Sequence, residues 1–254
     1  MMRKLIYLFI FLLSSYLSFS QTFNRNDGRV VNGSTVTFMH GNHLPDDFLK
    51  SNGEVTKYKD IEGSPYIDNN SGAANNLPLG KVYSTSFEYL NTAFIRYNAH
   101  TDNMEVSLME DGVDYYLLKR EVDFLYLVLH NKKYRAYEYL LKTKKAIGFF
   151  VILSENDTNH CSLLKKEKIV FKKKIVPKNS FISPSPPSFK RNKDIYYLKL
   201  DDRVVKLPKK KKELYTVFLE KKNEMKEFIA SNKFKLTKEE DLLAMTNYYN
   251  SLLN

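Results

Sequence analysis

Two imidazoles and two carboxylates crowd the segment HGNHLPDD, where His40, His43, Asp46 and Asp47 offer the nitrogen and oxygen donors that zinc and similar ions take. A metal-dependent hydrolase using His40, His43 and Asp46 is the chemistry such a set could support. The spacing argues the other way. A metallohydrolase helix sets two histidines four apart with a glutamate between them, whereas here they stand three apart with Gly41 and Asn42 between, in loop-like surroundings. There, Asp46 and Asp47 suit the capping of a turn or short helix.

His100, Asp102 and Glu105 in NAHTDNMEV can be drawn as a base with nearby acids, but they span an expected hairpin turn, where such residues serve backbone conformation. His130 and His160 also fall in turn-like segments, with no nucleophile or phosphate-cradling glycine loop beside them. Cys161 is the single cysteine, so no intramolecular disulfide can form, and it reads as a small buried hydrophobe at the start of a strand. No catalytic residue is assigned and no cofactor is expected.

The basic residues are more informative. Residues 161–212 hold 17 Lys and Arg against 4 Asp and Glu, a net charge of +13, while residues 21–160 sum to −3 and residues 213–254 to −1. Lys165, Lys166, Lys168, Lys172, Lys173 and Lys174 form the core of this block. They are the candidate site for an anionic partner such as an envelope polymer or lipid headgroups. The competing reading is a solvated strand face whose lysines discourage edge-to-edge pairing. No specific nucleic-acid motif accompanies the charge.

Elements that would position these residues can be read from periodicity. Arg29 to Met39 forms an expected hairpin about Asn32-Gly33, a pair that tolerates the positive φ angles of a type I′ turn. The stretch from Gly41 to Leu79 shows little periodicity. Strand signals then follow one another in KVYST, AFIRYN, MEVSLM, VDYYLL, FLYLVL, YRAYEYLL and IGFFVIL, separated by turn formers. YRAYEYLL could equally be a short helix. After CSLLKK and the basic block comes a Pro/Ser-rich loop, 177–189, and then a hairpin of IYYLKL and RVVKL closed at Asp201-Asp202.

From Pro208 the period becomes helical, with Leu214, Val217, Phe218, Met225, Phe228 and Ile229 marking apolar stripes. Thr237 and Glu240 have the spacing of a capping box at the last helix. Along it Leu242, Met245, Tyr249 and Leu252 share a face that must pack on something. A partner protein could dock there through Met245, Tyr249 and Leu252, but the chain's own sheet is the favoured cover.

The N-terminus has a basic start at Arg3 and Lys4, an apolar run from Leu5 to Leu13, and small residues Ser18 and Ser20 flanking Phe19. That order is the one a signal peptidase reads, and the run is short of the roughly 20 residues needed to span a bilayer. The expectation is a signal peptide over 1–20 and a mature chain from Gln21 that does not span the membrane and resides in the periplasm, the cell envelope or the medium.

The segments GSPYIDNN, LPLGKVY, RYNAHTDNMEV, SLLKK, IYYLKL and EMKEFIASNKFKLTKEEDLLAMTNYYNSL resemble a group of exported proteins of flavobacteria and their relatives. The resemblance implies export and a shared architecture, and it carries no functional residues across. The expected fold is α+β: a mainly antiparallel β body over 21–207 followed by a helical tail of two or three helices over 208–254. The expected role is that of a non-enzymatic binding or structural protein with a basic surface.

Overall fold

Along Tyr89–Asn98, Asn91, Ala93, Ile95 and Tyr97 are buried while the residues between them stay half-buried, the two-residue period of a strand with one face turned to a core. This alternation recurs through a computed structural model that describes residues 30–31, 34–35, 49–51, 61–67, 78–84, 86–107, 115–120, 126–155, 157–176 and 183–253. The chain divides into two units, Met1–Thr37 and Phe38–Asn254. In the first, β1 (Val30–Val31) pairs antiparallel with β2 (Ser34–Thr35), in a register that leaves Asn32-Gly33 as the connection.

The second unit is built on an eleven-stranded sheet. Its strands are β3 (Leu49–Ser51), β4 (Leu79–Tyr83), β5 (Tyr89–Asn98), β6 (Asn103–Ser107), β7 (Tyr115–Leu118), β8 (Tyr126–Leu129), β9 (Lys132–Leu141), β10 (Lys144–Ile152), β11 (Cys161–Lys166), β14 (Ile195–Leu200) and β15 (Arg203–Lys206). The order is β15-β14-β11-β10-β9-β8-β4-β5-β6-β7-β3, with every neighbouring pair antiparallel. β4 is the joint, pairing with β5 on one side and β8 on the other. Between β11 and β14 the chain leaves the sheet to form a two-stranded ribbon, β12 (Ile169–Lys172) with β13 (Ser188–Arg191).

YRAYEYLL is strand, not helix: it lies in β9, which pairs with β10 along nine residues. β8 and β9 are joined at His130 and Asn131, both at positive φ (48° and 61°), so His130 occupies a tight turn. The expected loop over 177–189 ends sooner, because Ser188 and Phe189 belong to β13.

β11 is buried on both faces, and its alternation sorts two cores. Cys161 and Leu163, with Leu198, Leu200 and Leu207, face the tail, while Leu164 and Tyr197 join Tyr126, Tyr139, Phe150 and Ile152 on the other side. The tail comprises α1 (Lys211–Leu214), a 3₁₀ turn at Leu219–Lys221, α2 (Lys222–Ser231) and α3 (Glu239–Ser251). Leu214, Phe218, Met225, Ile229, Leu242, Met245 and Tyr249 are buried in the core they form with the sheet, and Leu252 packs against it. Met245 and Tyr249 are therefore covered by the chain's own sheet, which removes them as a docking surface.

The capping box does not form. The helix begins after Lys238, whose extended backbone takes the cap position without a side-chain cap, placing Thr237 one residue too early. Asp241 instead reaches back to accept a hydrogen bond from the Lys235 N–H at 2.7 Å. Asn250 fixes α3 to the sheet. Its Oδ1 accepts from the Cys161 N–H and its Nδ2 donates to the Cys161 carbonyl, both at 2.8 Å, supplying partners that a neighbouring strand would otherwise provide. Among the described residues no helix is long and apolar enough to cross a membrane.

Candidate anion-binding surface

A strand projects successive side chains to opposite faces, and β11 separates the first two lysines of the basic block in this way. Lys165 turns to the tail, where its Nζ lies 2.9 Å from Glu239 Oε1, an oxygen that also accepts from the Tyr196 hydroxyl at 2.9 Å. Lys166 turns the other way into the interior. Its Nζ pairs with Asp102 Oδ2 at 2.6 Å, donates to the Phe149 carbonyl at 2.8 Å and lies 4.6 Å from the Phe150 ring centroid. Asp102, at a positive φ of 60° in the β5–β6 turn, also accepts from the Tyr97 hydroxyl at 2.7 Å. Burial pushes the Lys166 ammonium down to about 8 against the pull of Asp102.

Gly148 on β10 makes room for this pair. A Cβ there would collide with both Asp102 Oδ2 and Lys166 Nζ. The neighbouring Glu167 is buried and sits among Lys132 Nζ at 3.0 Å, the Tyr134 hydroxyl at 2.6 Å and Arg191 Nη2 at 3.2 Å. The charges at positions 165 to 167 are thus internal ties.

The remaining four lysines differ. Lys168, Lys172, Lys173 and Lys174 are exposed, and no carboxylate among the described residues forms an ion pair with them. They stand on and around the β12–β13 ribbon, together with the exposed apolar residues Phe171, Ile175 and Val176. The ribbon is held in place from beneath. Ile169 is buried and donates its N–H to Ala99 O at 3.3 Å, Phe189 N–H donates to Glu62 O at 2.8 Å, and His100 packs 5.2 Å from the Phe189 ring. Gly63, at φ +83°, lets that backbone approach: a Cβ there would come within 2.6 Å of Phe189 O. Lys190 on β13 is paired with Glu62 at 3.2 Å.

His100, Asp102 and Glu105 separate in space by role. His100 packs on the ribbon's phenylalanines, Asp102 holds Lys166, and buried Glu105 accepts from Arg96 at 2.7 Å, Tyr66 at 3.1 Å and Asn98 at 3.1 Å. His160 Nδ1 lies 3.0 Å from Asp201 on the surface. Cys161 is fully buried, and burial, with Asp201 adding to it, pushes its thiol up to about 12, far from a nucleophile's range. His40, His43 and Asp46 lie outside the described residues, as do residues 1–20. Among the described residues no group of three or more His, Cys, Asp or Glu is arranged to hold a metal ion.

Asp157 is the centre that sequence reading missed. Its carboxylate is buried and accepts from the hydroxyls of Tyr126 and Tyr137 and from Arg135 Nη1 at 2.6 Å. Burial works against its ionisation, but the two phenols and the guanidinium outweigh it and hold the carboxyl below its ordinary range. Burial and Asp157 together raise both phenols. The cluster ties β8 and β9 to the β10–β11 connection. The visible signal was the two-residue spacing of Arg135, Tyr137 and Tyr139 in β9. The acid came from a turn segment 20 residues beyond Tyr137 that no periodicity marks.

No protein-family model, no curated protein and no solved structure matches this chain.

Proposed function

We propose that this chain is an exported, non-enzymatic binding protein whose β12–β13 ribbon meets anionic material of the cell envelope. The observation that carries the reading is the split within the basic block: Lys165 and Lys166 are paired with internal carboxylates, while Lys168, Lys172, Lys173 and Lys174 stand exposed with no carboxylate partner among the described residues. Exposed lysines gathered on one ribbon create a positive potential that phosphate- or carboxylate-bearing polymers or headgroups offset. Phe171, Ile175 and Val176 beside them add apolar contact. The order of basic, apolar and small residues at the N-terminus supports export.

The test is binding of the purified protein to isolated envelope fractions at low and high salt, beside a variant carrying Lys168→Gln, Lys172→Gln, Lys173→Gln and Lys174→Gln. Lys165 and Lys166 stay intact, since removing them would leave Glu239 and Asp102 without partners and confuse lost binding with lost structure. Binding is expected to fall with added salt and with the substitutions. Binding that is equal in both proteins and insensitive to salt overturns the reading.

A further inference from the structure

At the β15 edge of the sheet, where the chain crosses into the tail, lies a cavity of about 800 Å³. Its composition divides in two. Ile195, Tyr196, Leu207, Pro208 and Leu236 are half-buried or buried and give it apolar walls, while Lys193, Lys206 and Lys209 are exposed. Asp194, the one carboxylate of the lining, is paired with Arg191 at 2.6 Å, and Glu239 beside Tyr196 is paired with Lys165 at 2.9 Å, so Lys193, Lys206 and Lys209 carry the excess charge of the lining.

The apolar walls are fixed. Leu207 N–H donates to the Tyr196 carbonyl at 2.9 Å, and the Tyr196 hydroxyl is tied to Glu239, which is tied in turn to Lys165. The volume falls in the range of small-ligand sites, which pair a mainly apolar lining with a few polar groups that fix orientation.

We infer that this cavity binds a single-chain anionic amphiphile, its hydrocarbon against Ile195, Leu207, Pro208 and Leu236 and its carboxylate or phosphate head at Lys193, Lys206 and Lys209. Charge decides between occupants: a cationic head would meet three ammonium groups, and a neutral one would forgo the only strong interaction available. None of the ribbon substitutions is at a residue that lines this cavity.

Titration calorimetry of the full chain with dodecanoate and with dodecyl phosphate, both below micelle formation, tests this. Dodecyltrimethylammonium, a neutral dodecyl glycoside and inorganic phosphate serve as controls. Saturable one-to-one binding of the anionic amphiphiles is expected, about tenfold weaker in a Lys193→Glu, Lys206→Glu, Lys209→Glu variant, where three surface charges are reversed. Leu236→Glu, which places a carboxylate in the apolar wall, is expected to weaken it as well. Preference for dodecanoate or for dodecyl phosphate identifies the head group. No saturable binding, equal binding of the cationic or neutral amphiphile, or affinity unchanged in both folded variants overturns the proposal. Inorganic phosphate binding as tightly as dodecyl phosphate also overturns it, because the apolar walls would then contribute nothing.

Discussion

Gly148 has no side chain because two others need its space. Lys166 and Asp102 come from elements 64 residues apart in sequence and meet where a β-carbon on β10 would stand. Replacing this glycine with alanine is expected to push the pair apart and destabilise the protein by about 1–3 kcal/mol, the range of core overpacking. Alanine normally suits a strand better than glycine, so an unchanged melting temperature would show that the pair can move aside at no cost. The residue scale is also where sequence reading is weakest. The spacing of Lys165 and Lys166 places them on opposite faces of a strand, but nothing in it says that one face meets Glu239 and the other Asp102. Those partners follow from long-range packing. For the same reason the lysines that could be counted in sequence could not be sorted into buried and exposed.

Elements are better recorded in the sequence. The strand signals from KVYST to IGFFVIL correspond to β4 through β10, and the turn at Asp201-Asp202 closes β14 and β15 as the residues suggested. The apolar stripe of the last helix is buried against the sheet. What periodicity does not encode is attachment. α3 is held not only by its apolar face but by one amide, Asn250, spanning the N–H and carbonyl of Cys161. Asn250→Ala leaves a buried donor and acceptor unpaired and is expected to cost about 2–4 kcal/mol. In thermal denaturation that amounts to a fall of about 2–4 °C for each kcal/mol in a chain of this size. A loss below the error of the melt would mean that water replaces the amide and that the apolar face alone seats the helix.

For the whole molecule, the response to alkali follows from groups spread across the sheet. The Lys166 ammonium is lowered by burial to about 8 from an ordinary 10.5, so between these values the unfolded chain holds a proton that the folded chain has released. Stability from this group therefore rises with pH across that window. Tyr196 and Tyr197 are raised by burial to about 12 from 10, so above pH 10 the folded chain keeps protons the unfolded chain gives up, and stability falls. The Cys161 thiol, raised by burial to about 12 from 9.0, opposes the climb from pH 9, so denaturant unfolding from pH 7.5 to 11.5 is expected to show stability climbing toward pH 9, levelling, and declining above pH 10, with the climb missing in Lys166→Met. Identical curves for the two proteins would mean that Lys166 is charged throughout.

The position of the only thiol has a further consequence. Cys161 lies in the layer between sheet and tail, directly under the residue that clamps α3. In an oxidising compartment a folded molecule offers no sulfur for exchange, and the chain has no second cysteine with which to close a loop. A disulfide-linked pair of these chains would therefore be a chemical record of two molecules whose tails had lifted away. The proportion of such pairs measures how often this core has opened over the life of a sample.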